Sequence, residues 1–243
     1  MEPVNPSEPD RGSEWFVPKF GPPRFRRTVG LLFLPYTGMV MAYAVLGSLV
    51  AEIIHWDRLL AIALIYFLGL GIGAHCLDAL GSKAVKPWGE AFSRQELKIL
   101  TTLSLFLAYA IGVYYIVQNA YNLAYIALAE GFFVFAYNLE WFGGRYHTDG
   151  WFAFSWGFLP ALAGHLIQTN TLSLPVLLVA LSAALLSRVE ITASRPYKRL
   201  KRRSSILEAD EALTMERYEI ILKSISLGVI LMVTGLLLYR SAG

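Results

Sequence analysis

Long apolar runs separated by short polar breaks dominate the chain. A bilayer core of roughly 30 Å is crossed by about 20 apolar residues in a helix, and seven runs approach that length. The predicted spans are approximately Thr28–Glu52, Leu59–Leu80, Leu97–Val117, Ala120–Leu139, Trp151–Thr169, Leu172–Ile191 and Tyr218–Tyr239. The pattern therefore predicts an all-α, polytopic helical membrane protein with about seven transmembrane helices.

The composition of the 243 residues agrees with a membrane protein. Hydrophobic residues make up 56% and charged residues 16% of the chain, and the mean hydropathy is +0.49, whereas soluble domains carry about 25% charged residues. The single cysteine, Cys76, excludes an intramolecular disulfide framework and a Cys-rich zinc site. A net charge of +3 is mild, so we expect membrane lipids around the chain and no nucleic-acid partner.

The polar and proline-rich N-terminal stretch differs from the rest of the chain. Residues 1–23 contain six of the 11 prolines among polar residues, a composition that cannot build a core. We therefore predict a disordered N-terminal tail at 1–23 and a single transmembrane helical domain at 24–243. No internal repeat is visible in the sequence.

Basic residues predict the orientation in the membrane. Lys19, Arg24, Arg26 and Arg27 lie just before the first span, and alternating loops from there carry most of the remaining cations. By the positive-inside rule the N-terminus is cytoplasmic and the C-terminus is outside. Two cations depart from this pattern, namely Arg58 and Arg240.

Glu130 is an ionisable residue near the middle of the fourth predicted span. Placing such a residue in the membrane costs about 3 kcal/mol on insertion scales. We therefore expect it to have a hydrogen-bond partner or a functional role. Tyr137 lies seven residues later on the same helical face. The two residues are either hydrogen-bonded packing groups or part of a substrate pocket.

Two further polar groups fall at the predicted cytoplasmic ends of spans. His75, Asp78 and Ser82 share one helical face through spacings of three and four. These side chains either form hydrogen bonds with one another or bind a cation or a phosphate. The loop that follows the fourth span adds carboxylates and a histidine, which are either solvated or metal ligands. These loop residues are Glu140, His147 and Asp149.

The sixth predicted span ends in a dense basic run that contains polar residues at helical spacing. Arg188, Glu190, Ser194 and Arg195 lie in this stretch. Such runs commonly fix topology and contact anionic lipids. They are also suited to holding a phosphate.

Three stretches together resemble the UbiA superfamily of intramembrane prenyltransferases, as a divergent member with eroded Asp-rich motifs. The family's first motif, NxxxDxxxD, ends its second helix, and Ala74, Asp78 and Ser82 occupy those positions here. The residues that follow, Lys86-Pro87-Trp88-Gly89, resemble the family's cytoplasmic loop. Glu190 and Ser194 stand at the DxxxD motif that ends the sixth helix. The resemblance covers roughly residues 28 to 200.

The resemblance implies a UbiA-like helical bundle and an activity. The family's carboxylates hold Mg²⁺ ions that bridge an isoprenoid diphosphate, whose prenyl group passes to a lipophilic acceptor. On this basis the catalytic and Mg²⁺-binding residues are Asp78 and Glu190. The implied substrate-binding residues are Lys86, Arg188, Arg195, Ser82 and Ser194, with Glu130 and Tyr137 as the pocket candidates above.

Two other functions stay open on the sequence. The chain is alternatively a non-catalytic membrane protein that keeps the fold to bind an isoprenoid lipid or to serve as a scaffold. In the other alternative it is a membrane enzyme with a transition metal such as iron, manganese or zinc. The metal ligands would then be His75, Asp78, Glu140, His147 and Asp149.

Overall fold

The structure, a computed structural model, describes residues 11–81, 88, 91–203 and 206–242. All regular elements in these ranges are helical, so the predicted all-α class is confirmed for the described chain. Two π-helical segments, Phe67–Ala74 and Phe154–Phe158, and a short 3₁₀ turn, Arg11–Ser13, accompany the α-helices. The α-helices are α1 Pro23–Leu31, α2 Leu34–Leu49, α3 Trp56–Tyr66, α4 His75–Gly81, α5 Arg94–Gln118, α6 Leu123–Asn138, α7 Trp141–Gly144, α8 Asp149–Ala153, α9 Leu159–Thr169, α10 Leu174–Arg202 and α11 Ala209–Ala242.

Five helical stretches in the described residues are long and apolar enough to cross a membrane. They are Pro23–Leu49, Trp56–Gly81, Arg94–Gln118, Leu174–Arg202 and Ala209–Ala242, and α6 is apolar but shorter. The outer faces of two of them are strongly apolar, since Phe106 on α5 is 68% exposed and Leu231 on α11 is 70% exposed. Apolar faces of this kind fit a lipid environment better than water.

Helix α2 lies at the centre of the bundle, where it contacts α3, α9 and α11. Two glycines allow α2 and α9 to approach closely. A Cβ atom added to Gly47 would collide with the backbone oxygen of Ala161, and one added to Gly164 would collide with that of Ala44. The hydroxyl of Ser48 donates to the Gly164 carbonyl at 2.8 Å, so a polar contact supports the close backbone packing.

The cations that depart from the positive-inside pattern have a local structural role. Arg58 donates to the carbonyls of Ile167 and Gln168 at the C-terminal end of α9, at 3.0 and 3.1 Å. Arg240 donates to the Ala51 carbonyl just beyond α2, at 2.7 Å. Carbonyls at the C-terminal end of a helix have no partner within the helix, so Arg58 satisfies the end of α9, whereas Arg240 binds the turn that follows α2.

Part of the predicted disordered tail is packed. Glu14, Phe16 and Val17 are 3%, 9% and 2% exposed, and the ring of Phe16 lies 4.9 Å from that of Phe33 and 5.7 Å from that of Tyr36. The prediction is therefore wrong for this stretch, because its aromatic residues find an apolar surface that composition alone does not reveal. Residues 1–10 lie outside the described residues.

The last two predicted spans are longer as helices than their apolar runs. Helix α10 continues to Arg202 and α11 begins at Ala209, about ten residues beyond the predicted ends at Ile191 and Tyr218. Lys, Arg, Glu and Ala are strong helix formers, so both helices continue where the apolar pattern ends. This extension positions the polar residues described next.

Candidate functional site

One buried face of α10 carries polar side chains toward the interior. Glu190 and Ser194 are 4% and 3% exposed, and Lys198 follows four residues later. Spacings of four place these three residues on one side of the helix. Oε2 of Glu190 is buried without a hydrogen-bond partner among the described residues, so this face has unused capacity to bind a ligand.

The end of α4 faces the same region. The π-helical segment that precedes α4 leads directly to His75, which is buried and whose Nδ1 lies 3.0 Å from the Gly71 carbonyl oxygen. The His75 ring stacks on Phe33 at 4.6 Å and lies 5.5 Å from the ring of Trp156. One turn later, Asp78 lies 4.0 Å from the Arg11 guanidinium.

Lys198 joins the two helix ends. It interacts electrostatically with both Asp78 and Glu190, and its Nζ lies 5.6 Å from the centre of the Phe33 ring. Two charged residues of the N-terminal segment, Arg11 and Glu14, also interact with Lys198. We call these five residues the Lys198 cluster: Arg11, Glu14, Asp78, Glu190 and Lys198.

Glu14 is the anion at the centre of the cations in this cluster. Burial raises the pKa of the Glu14 carboxyl above its ordinary value, against the opposing effect of Lys198 and Arg11 and, more weakly, of Lys201 and Arg202. Oε2 of Glu14 and Nη1 of Arg11 are both buried without a hydrogen-bond partner among the described residues. The Glu14 carboxyl therefore interacts with two cations of the Lys198 cluster and with two further cations of α10.

Phe33 is the aromatic platform of the cluster and has an unusual backbone. It lies between α1 and α2 with φ 46° and ψ 46°, a left-handed conformation that costs a bulky residue of order 1–3 kcal/mol. The guanidinium of Arg11 lies 5.5 Å from its ring centre. The strained junction thus directs one ring toward His75, Arg11 and Lys198 together.

Arg195 and Tyr137 belong to a second, neighbouring group. Nε of Arg195 lies 3.1 Å from Asp149, and its Nη2 donates to the His147 carbonyl at 3.1 Å. Tyr137 stacks on the His147 ring at 4.4 Å. We call these four residues the Arg195 group; its contacts connect α10 to the ends of α6 and α8.

Other predicted site residues lie elsewhere. Arg188 is exposed on α10 and is not a member of the Lys198 cluster, because it points away from the face that carries Glu190. Glu130 lies on α6 and accepts a hydrogen bond from the Tyr66 hydroxyl at 3.0 Å. Ser82 and Lys86 lie outside the described residues.

The residues predicted to bind a transition metal do not come together. No group of three or more His, Cys, Asp or Glu side chains able to hold a metal ion occurs within the described residues. Glu140 is exposed, whereas His75 and Asp78 belong to a different helix end from His147 and Asp149. The five-residue set is therefore wrong as a single site, because the loop ligands pack into the Arg195 group.

Mg²⁺ prefers near-octahedral oxygen ligands. The two carboxylates implied to hold it both interact with cations, since Asp78 lies 4.0 Å from Arg11 and Glu190 interacts with Lys198. The Mg²⁺ site stays a prediction.

The sequence interpretation found the two carboxylates but not the groups between them. It treated Lys198 as one of many cations in a basic run, although its position eight residues after Glu190 places it on the same helical face. Arg11 and Glu14 lay in the stretch predicted as disordered. The role of Phe33 could not be predicted from the sequence, since it depends on the left-handed backbone conformation of this residue.

Comparison with protein-family models, with curated proteins and with solved structures finds no match to this chain.

Proposed function

We propose that this protein is a divergent UbiA-like membrane protein that binds an isoprenoid diphosphate at the Lys198 cluster and transfers the prenyl group to a lipophilic acceptor. The main supporting observation is that Asp78 and Glu190, from helices far apart in the sequence, both interact electrostatically with Lys198, and that Asp78 lies 4.0 Å from Arg11. The UbiA resemblance implies two carboxylates at these two helix ends. Their convergence supports the proposal because the apolar pattern alone does not require it.

The proposal includes seven membrane passes in a UbiA-like bundle. The five long apolar stretches supply five passes, and α6 and the continuous stretch Asp149–Thr169 supply the other two. Asn122 before α6 donates from its backbone to the Asn170 side chain at 2.8 Å, so the start of α6 lies beside the end of α9, as alternating passes require. The basic ends that carry the Lys198 cluster then face the cytoplasm.

The cations provide the chemistry for the diphosphate. When the bond between C1 and the diphosphate oxygen breaks, both electrons stay on the oxygen, and Lys198 and Arg11 stabilise the added negative charge. The aromatic faces of Phe33 and Trp156 stabilise the allylic cation. The acceptor attacks C1 and releases a proton to Glu190, whose Oε2 has no hydrogen-bond partner among the described residues. In this scheme the diphosphate displaces Glu14 from the cations.

The test is calorimetric titration of the purified protein with geranylgeranyl diphosphate, with and without Mg²⁺, together with a product assay on lipophilic acceptors. We expect binding with weak Mg²⁺ dependence, because cations carry out most of the charge neutralisation. The Mg²⁺ cofactor implied by the resemblance stays a prediction that this titration decides. Absence of binding under both conditions would rule out the proposed site.

A second function, binding of an isoprenoid lipid without catalysis, is favoured by one observation. The Lys198 cluster is already closed by its own ion pairs, since Arg11 lies 4.0 Å from Asp78 and 3.9 Å from Glu14. An Asp78 engaged in this way is less available for chemistry. Mg²⁺-independent binding without product in the same assay would identify this second function.

A further inference from the structure

A cavity of about 350 Å³ lies between α3, α5 and α6 and is separate from the Lys198 cluster. None of its described lining residues is a member of that cluster. The lining is almost entirely apolar, and its side chains that can hydrogen-bond are Tyr66, Tyr109 and Glu130. A volume of this size is within the range of small-molecule sites, roughly 300–1,000 Å³.

Glu130 provides one carboxyl oxygen at this cavity that has no hydrogen-bond partner among the described residues. Its Oε1 is bound by the Tyr66 hydroxyl at 3.0 Å, whereas its Oε2 is buried without a hydrogen-bond partner among the described residues. The hydroxyl of Tyr109 is already used, since it donates to the Ala127 carbonyl at 2.9 Å. None of the ion pairs among the described residues includes Glu130.

The cavity opens toward the apolar outer surface of the bundle. Val113 on α5 and Leu128 on α6 line it and are 52% and 73% exposed. Gly69 and Gly112 contribute no side chain to the space inside the cavity. A Cβ atom added at either position would have its nearest neighbour at 3.9 Å, so the space beside both glycines is empty. A ligand can therefore enter sideways from the lipid phase between α5 and α6.

From this geometry we propose that the cavity binds a lipid-like amphiphile whose hydroxyl or amino head group forms a hydrogen bond with Oε2 of Glu130 and whose apolar chain fills the remaining volume. A buried carboxyl oxygen without a partner in an apolar site is costly, and a head group that can both donate and accept a hydrogen bond removes that cost. An apolar chain alone would leave this oxygen unsatisfied. This site does not depend on the function proposed for the Lys198 cluster.

Native mass spectrometry of the full-length protein tests the site with three ligands of equal chain length: 1-hexadecanol, hexadecylamine and hexadecane. We expect the alcohol and the amine each to bind at least ten-fold more tightly than the alkane, which can form no hydrogen bond. Preference for the amine alone identifies an amino head, and preference for the alcohol alone identifies a hydroxyl head. Equal binding of all three ligands would overturn the proposal.

Variants assign the binding to this cavity. Glu130→Leu should abolish the preference for the polar head groups, whereas Ser182→Leu at an exposed position of α10 should retain it. Gly112→Leu fills the cavity without changing the carboxyl group, and it should weaken the binding of all three ligands at least ten-fold. It also serves as the independent test should Glu130→Leu fail to fold. A head-group preference that persists in Gly112→Leu would place the binding elsewhere and overturn the proposal.

Discussion

At the scale of single residues, the proposed function requires a bound diphosphate to displace Glu14, which interacts with Lys198 and Arg11. Its carboxylate competes with any external anion for Lys198 and Arg11. We therefore expect Glu14→Gln to tighten geranylgeranyl diphosphate binding by about 1 kcal/mol, roughly five-fold, the scale of one charge-assisted contact. Calorimetric titration measures the change, with exposed Glu216→Gln on α11 as the control. Weaker binding by Glu14→Gln would contradict this role.

Arg195 has a structural role in the same part of the molecule. Because it pairs with Asp149 and with the His147 carbonyl, Arg195→Ala should lower thermal stability by about 1 kcal/mol, a modest value for a pair more than one-third exposed on its arginine side. Geranylgeranyl diphosphate affinity should not change. Thermal unfolding measures the stability and titration of the same preparation measures the affinity. A large loss of affinity would show that Arg195 takes part in binding and contradict a purely structural role.

Sequence reasoning found residues at this scale where a motif or a helix face determines their position. Asp78 and Glu190 were identified because they occupy carboxylate positions in the motifs of the UbiA resemblance. The selection of Lys198 among its basic neighbours depends on the N-terminal segment that packs over it, which no local pattern encodes. His147 and Asp149 were assigned the wrong partners because loop geometry cannot be obtained from spacing.

At the scale of elements, the closest packing is that of α2 against α9. Gly164→Ala would place a methyl group against the Ala44 carbonyl, and overpacking of this kind costs about 1–3 kcal/mol. Gly228→Ala on α11 has no atom within 4 Å of the new Cβ, so it should leave stability unchanged or raise it through helix propensity. Thermal unfolding in detergent compares the two variants, and equal stability would contradict the close packing.

Apolar runs predicted where helices form but not their details. The first span divides at Phe33 into α1 and α2, and α10 and α11 extend well past their apolar windows. The two π-helical segments lie beside the candidate site, as such segments often do. Their backbone hydrogen-bond pattern leaves no periodic signal in the sequence. Bundle packing therefore determines these features.

At the scale of the whole molecule, the orientation can be tested by cysteine labelling. The native Cys76 is buried, so a Cys76→Ser background carries single cysteines at exposed positions. An impermeant maleimide added to intact cells should label Glu52→Cys and Thr171→Cys, but not Ser93→Cys or Glu208→Cys, because basic loops stay in the cytoplasm. The reverse pattern would invert the proposed topology.

The central claim is that the Lys198 cluster binds an isoprenoid diphosphate, and two variants on one helix test it most directly. Lys198→Gln removes the cation that interacts with Asp78 and Glu190, whereas Arg188→Gln removes an equal charge from the exposed side of α10. Titration with geranylgeranyl diphosphate should show a loss of about 1.5–3 kcal/mol, roughly ten-fold or more, for Lys198→Gln, and no change for Arg188→Gln. Unfolding temperatures of both variants exclude a folding defect. Equal affinities in the two folded variants would contradict the account.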